Sequence, residues 1–184
     1  APRTVSYRFA SGYVPANIWP QDEEVGGGRI VGEAGHAIDM CVALTGSAPV
    51  RVYAESVGAA RGLETTDDQV FITLRHEDGS LSNVSYQAGG DRAAPTERFE
   101  VNGGGRTAHV DEFHEVSLWR SEKPTVEKTG RDRGHDAGFR AFIDGCRKGG
   151  AWPIPWREIY GTTWATLMAV RSLREGLPID LDSP

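Results

Sequence analysis

"QVFITLRHEDGSLSNVSYQA", residues 69–88, decides the fold class. Two runs rich in Val, Thr, Tyr and Phe with period-two character flank Asp78-Gly79, a pair suited to a tight hairpin because glycine accepts positive φ. Similar short runs lie around it: "VRVYAESV" (50–57) before, then "TERFEV" (96–101), "TAHVDE" (107–112), "EVSLWRS" (115–121) and "PTVEKT" (124–129) after. The N-terminal "TVSYRFASG" (4–12) alternates well enough to be another strand. Glycine-bearing or charged connections separate these runs, which predicts a meandering antiparallel sheet.

Helical periodicity frames the strands. From about Ile30 to Leu44 the residues Ala34, Ala37, Ile38, Cys41 and Leu44 recur at three and four, and Gly46 and Pro49 stop the pattern. "GHDAGFRAFIDGCRKGG" (134–150) puts Phe139, Phe142, Ile143 and Cys146 on one stripe, and "PWREIYGTTWATLMAVRSLREG" (155–176) repeats it through Ile159, Thr163, Leu167, Val170 and Leu173. Both late helices are expected to pack on the sheet. A helix, a run of strands and two closing helices predict an α+β domain in two layers, with helices on one face of a largely antiparallel sheet. Because "VFITL" and "VRVYA" carry apolar residues at both parities, the second sheet face also asks for cover, and a homo-oligomer through it is expected.

Bulk properties bound the rest. A chain of 184 residues with 39% hydrophobic composition supports one core, so residues 1–184 are expected to form a single domain. The net charge of -6 comes from 26 acidic and 20 basic side chains interleaved along the chain, leaving no broad positive face for nucleic acid. No apolar run is long enough for a bilayer, and the N-terminus lacks the order of a signal peptide. Cys41 and Cys146 both fall in helical segments and are expected as buried free thiols in a reducing, cytoplasmic setting.

The chemistry-bearing stretch is "GGGRIVGEAGHAIDM", residues 26–40. Its glycines, with Gly32, do not fit a dinucleotide fingerprint, and no βαβ unit surrounds them. Glu33, His36 and Asp39 recur every three residues, so on a helix Glu33 can reach His36 and His36 can reach Asp39. A carboxylate orients an imidazole, and an imidazole that titrates near neutrality can act as an acid/base. Spacing alone equally allows a histidine bonded only to its helix neighbours. A metal is not implied: Glu33-x-x-His36 is half of a di-iron pattern, and no second pair exists. His76, before the Asp-Gly turn, is expected to be exposed. The preceding loop carries Tyr13 and Trp19, with Trp19 open between lid and packing roles.

"EVGGGRIVGEAGHAIDMCVALTG" resembles the signature of the C-terminal domain of the glucose-fructose oxidoreductase, inositol dehydrogenase and MocA-like family, in which Gly-Gly-Gly leads into a helix bearing His-x-x-Asp. The closing "GHDAGFRAFIDGCRKGGAWPIPWREIYGTTWATLMAVRSL" resembles that family's last two helices, and the opening "YRFASGYVPANIWPQDEEVGGG" resembles the members fused behind a zinc-type alcohol dehydrogenase domain. The resemblance implies an open-faced mixed sheet that follows a Rossmann domain, so this chain would be the substrate-binding and oligomerisation domain of a longer enzyme. It implies NAD- or NADP-dependent hydride transfer on sugars, nucleotide sugars or polyols, with the nucleotide bound mainly by the Rossmann domain outside these residues and this fragment inactive alone. His36 matches the family's acid/base and Asp39 the acid one turn on; with Glu33, Tyr13, Trp19 and Arg29, Asp39 makes up the candidate substrate pocket. Gly32 stands where many members have an aspartate, with Glu33 one position later, which leaves open a non-catalytic binding or scaffold module of the same fold. Glu122-Lys123-Pro124 spells the family's lysine motif between two late strands, the wrong context for it.

Overall fold

The structure, a computed structural model, describes residues 1–57, 68–130 and 132–182. In chain order its strands are β1 (Thr4–Ala10), β2 (Pro49–Ser56), β3 (Gln69–His76), β4 (Leu81–Gln87), β5 (Glu97–Gly103), β6 (Arg106–Asp111), β7 (Glu115–Trp119), β8 (Pro124–Lys128) and the short β9 (Ile179–Asp180). They form one sheet in the order β8-β7-β6-β5-β1-β4-β3-β2-β9. Every neighbouring pair is antiparallel except β1 and β4, which run parallel with Thr4 opposite Leu81. The sheet is therefore mixed and mostly antiparallel, and the class is α+β. β1 is inserted between β4 and β5, a placement that no local propensity encodes.

Alternation is cleaner than the apolar runs imply. Val52, Ala54, Val70, Ile72, Leu74, Val84, Tyr86, Val5, Tyr7 and Phe99 are buried on the helix side. The row that crosses the opposite face in register is Tyr53, Thr73, Asn83, Ser6, Glu100, His109 and Ser117. The second face is polar along this row but also carries Tyr53 and the exposed apolar side chains of Phe71, Leu81 and Val126, so apolar residues stand at both parities. Period two places alternate residues on opposite faces, so only every second residue of "VFITL" enters the core.

The core lies between this sheet and two helices, α1 (Gly35–Thr45) and α3 (Trp156–Glu175). α1 buries Ala37, Ile38, Cys41 and Val42, and α3 buries Thr162, Ala165, Thr166, Ala169 and Ser172. These small residues let the two helices approach closely: a Cβ added at Gly35 would lie 3.3 Å from the Thr166 hydroxyl. A π-helical turn, Ile30–Ala34, leads into α1, where the Gly35 N–H reaches the Ile30 carbonyl. α1 stops at Gly46, whose φ of 66° a side chain would disfavour. Among the described residues no helix is long and apolar enough to cross a membrane.

Three expectations need correction. α2 (His135–Lys148) forms as expected but packs into no core: none of its residues is buried, and Phe139 is 67% exposed. Amphipathic spacing says which side of a helix seeks cover, not whether this chain supplies it. Cys146 is consequently exposed, whereas Cys41 is buried and free. His76 is buried, because the strand runs to the turn itself and carries it onto the helix side, where it bonds the Ser47 carbonyl and the Ser82 hydroxyl.

Candidate active site

The π-helical turn determines which polar side chains meet. Arg29, immediately before it, is 1% exposed, and its Nη2 donates to Ser11 Oγ at 2.5 Å and to Glu33 Oε2 at 3.0 Å. Ser11 Oγ donates to Tyr86 Oη at 2.7 Å, and Tyr86 Oη donates to the same Glu33 oxygen at 3.0 Å. The guanidinium also lies over the Tyr86 ring, 5.8 Å from its centroid. Burial, with the nearby Glu33 charge, raises the Tyr86 phenol above its ordinary value despite opposing effects of Ser11 and Arg29, so Tyr86 stays a neutral donor. Two further Arg29 nitrogens, Nε and Nη1, are buried without a partner among the described residues.

His36 and Asp39 face elsewhere. Both are exposed on α1 and line a groove of about 340 Å³ between α1 and α3, together with Gly32, Ile154, Ile159 and Leu167. Asp39 Oδ1 accepts from Thr162 Oγ1 at 3.1 Å, so α3 orients the carboxylate. His36 makes no hydrogen bond among the described residues. The expected contact between Glu33 and His36 is replaced by the Glu33–Arg29–Tyr86 cluster: the widened turn carries Glu33 toward the sheet, while the following α-helical turn leaves His36 over the groove. Gly32 borders that groove, and a Cβ there would meet nothing within 4 Å.

The two loop aromatics differ in place: the hollow that Tyr13 lines shares Ser11 with the Arg29 cluster. Tyr13, half-exposed, lines a separate hollow of about 370 Å³ with Ser11, Gly12 and Arg92. Trp19 is largely exposed on a single 3₁₀ turn, Trp19–Gln21, and makes neither contact. Gln21 pins that loop to the Val14 carbonyl and to the buried Asp68. The glycines serve the same loop: a Cβ at Gly26 would lie 2.3 Å from the Trp19 carbonyl. Six expected site residues therefore divide into Glu33 with Arg29, His36 with Asp39, and two loop aromatics. Sequence reading missed Ser11, Tyr86 and Thr162. Tyr86 carried a usable signal, since a tyrosine at a core-facing strand position needs a partner for its hydroxyl. Among the described residues no group of three or more His, Cys, Asp or Glu side chains is placed to hold a metal ion.

Residues 1–108, more than half of the chain, match the family described as the GFO/IDH/MocA C-terminal domain. The chain belongs to this family. Solved structures repeat its fold. Levoglucosan dehydrogenase, in complex with NADH and levoglucosan, is similar over 100% of this chain and 59% of its own, with a TM-score of 0.78 and 17% identity. An aldose-aldose oxidoreductase from Caulobacter crescentus matches over 97% of this chain and 55% of its own (TM-score 0.77, 17% identity). A UDP-N-acetylglucosamine 3-dehydrogenase from Acidithiobacillus ferrooxidans matches over 95% and 55% (TM-score 0.74, 16% identity). Identity at this level speaks for the fold alone. The chain spans 55–59% of the length of these three proteins. No curated protein sequence matches it.

Proposed function

We propose that this GFO/IDH/MocA C-terminal domain is the substrate-binding domain of an NAD(P)-dependent oxidoreductase acting on a sugar, nucleotide sugar or polyol, with His36 as the acid/base. The observation that carries the reading is His36 itself: an exposed imidazole with no hydrogen bond among the described residues, at a groove, on a helix within the part of the chain that matches the family. Oxidising an alcohol requires a base for the hydroxyl proton, and the reverse reaction requires that proton back; an imidazole serves both directions. Asp39, held by Thr162, fixes the polar edge of the same groove.

Glu33 supports the reading from the neighbouring cluster. Its side chain is 35% exposed, with Oε2 held by Arg29 and Tyr86 and Oε1 left for a substrate hydroxyl. Arg29 is too buried to touch substrate and acts through Glu33 as a positioning residue. Tyr13 and Trp19 would contribute at the loop side if a bound substrate extends there.

The family's nucleotide does not fit the residues in hand. The glycines at 26–28 follow no strand, and Gly26 closes against the Trp19 carbonyl of its own loop, so they form no dinucleotide cradle. The nucleotide belongs to the Rossmann domain implied for a longer protein. The non-catalytic alternative draws on Gly32, where the groove has room for the absent aspartate. A homo-oligomer through the open sheet face and a cytoplasmic location complete the proposal, and sedimentation of the full-length protein checks the first.

Two experiments decide it. The gene ahead of Ala1 should encode a strand, a Gly-rich turn and a helix, followed by Glu-Lys-Pro; its absence would remove the enzyme reading. In the full-length protein His36→Ala should lower turnover by about 10²-fold or more with the melting temperature unchanged. An unaltered rate would favour the scaffold.

A further inference from the structure

The hollow of about 370 Å³ beside Ser11 takes no part in the acid/base chemistry of His36. It lies where β1 and β4, the parallel pair, end side by side and leave the sheet at the same edge. Ala10 and Gln87 are partners in that register and line the hollow, one position beyond Phe9 and Tyr86, which pack on the core. Period two therefore turns Ala10 and Gln87 to the sheet face that carries no helix. The groove of His36 runs between α1 and α3 on the other side, so the two sites are separate.

The walls of the hollow are built from fixed groups. Ser11 N–H donates to the Gln87 carbonyl at 3.0 Å, and the Ser11 hydroxyl is held between Arg29 and Tyr86. The loop after β4 is tied down by Arg8 Nη2, which donates to the Pro95 carbonyl at 2.7 Å, and by the Ala93 N–H, which donates to Asp91 Oδ1 at 2.8 Å. Arg92 Nη2 reaches the Tyr13 carbonyl at 3.5 Å and joins that loop to the one after β1. Gly12 and Gly90 complete the lining, and a Cβ at either would meet nothing within 4 Å, so their backbone lies open to a ligand.

The polar side chains decide what fits. Arg92 supplies donors, whereas Gln87 Nε2 is taken by Ser85 at 2.7 Å and Asp91 Oδ1 by its own turn, which leaves Gln87 Oε1, Asp91 Oδ2 and the Thr96 hydroxyl as acceptors. A phosphate or carboxylate would meet the Asp91 charge along with that of Arg92, and a cation the reverse, so neither sign of charge is favoured. Neighbouring hydroxyls, each able to donate and accept, match the mixed lining, and the half-exposed Tyr13 ring offers an apolar face to the C–H side of such a molecule. Small-molecule sites run from about 300 to 1,000 Å³, and this hollow is near the lower end, which suits a single ring. We propose that the hollow at the ends of β1 and β4 binds an uncharged, polyhydroxylated ligand the size of one sugar ring, at a site distinct from the groove of His36.

The test titrates the isotopically labelled 184-residue chain with D-glucose, D-galactose, D-mannose and myo-inositol, and separately with inorganic phosphate, following backbone amides by NMR. At least one of the four neutral compounds should shift Ser11, Gly12, Gly90 and Arg92 saturably, and phosphate should not. Gly90→Leu fills the hollow without meeting the core, and Arg92→Leu removes the guanidinium; each should weaken that binding by about tenfold or more, with circular dichroism unchanged. Should His36 and Asp39 shift as well, Gly90→Leu should leave their response intact. Silence of the hollow amides toward all four compounds would overturn the site, and saturable shifts with phosphate would overturn the ligand class. Loss of the His36 response together with that of the hollow in Gly90→Leu would show one continuous site and overturn their separation.

Discussion

At the scale of single residues the molecule separates polar groups that serve the fold from those left over. His76 serves the fold: its Nδ1–H donates to the Ser47 carbonyl at 2.9 Å, and its Nε2 accepts from the Ser82 hydroxyl at 2.9 Å. That pattern requires the neutral ring, and burial lowers its pKa below the ordinary histidine value, outweighing the Ser47 bond and Asp78. The sign follows. Below about pH 6.5 the unfolded chain takes up a proton that the folded chain resists, so stability falls as pH drops, by at most about 1.4 kcal/mol per pH unit, and is flat above pH 7.5 for this group. Urea unfolding at pH 7.5 and 5.5 should show a drop in wild type that His76→Gln reduces; an equal drop in both would remove His76 as the cause. His36, by contrast, makes no hydrogen bond among the described residues, which is why its replacement is expected to cost turnover and not stability.

At the scale of elements, spacing read the strands well and the start of the first helix less well. Seven of the internal runs predicted from period two, with the N-terminal strand, appear in the sheet. Ile30–Leu44 reads as one continuous helix, yet its first five residues form a π-helical turn, and that widening separates Glu33 from His36. Five-residue turns leave no mark in a period-three-or-four pattern. The two-residue β9 was likewise invisible, and it matters because it leaves most of the β2 edge uncovered. Ser172 completes that edge: its hydroxyl accepts the Ala54 N–H at 3.0 Å and donates to the Leu177 carbonyl at 2.6 Å, joining α3, β2 and the C-terminal segment. Ser172→Ala would leave a buried N–H without a partner and should lower unfolding free energy by about 1–3 kcal/mol, measured by urea denaturation. A loss within experimental error would mean that the edge N–H finds water.

For the whole molecule, the distribution of buried side chains predicts unequal stability. The sheet, α1 and α3 share one core, whereas α2 contributes nothing to it. In the 184-residue chain, native-state hydrogen exchange should release the α2 amides well before those of α1, β3 and β4, because opening α2 exposes no core. Equal protection of all three helices would show that α2 belongs to the same cooperative unit. The same chain, if it carries only the substrate half, should show no NAD(P)-dependent turnover alone on sugars or polyols, and measurable turnover would overturn the division of labour proposed here.

The sequence by itself determined the class of fold, the strands, the helix stripes and the candidate acid/base, because all of these rest on local periodicity or on a motif within a few residues of itself. Only the tertiary structure decided that β1 sits parallel to β4, that Arg29 and Tyr86 hold Glu33 away from His36, and that α2 faces outward. Each of those depends on groups brought together from distant positions in the chain, such as Ser11 and Tyr86. Periodicity encodes the side of an element that is apolar. What that side meets is a property of the assembled molecule.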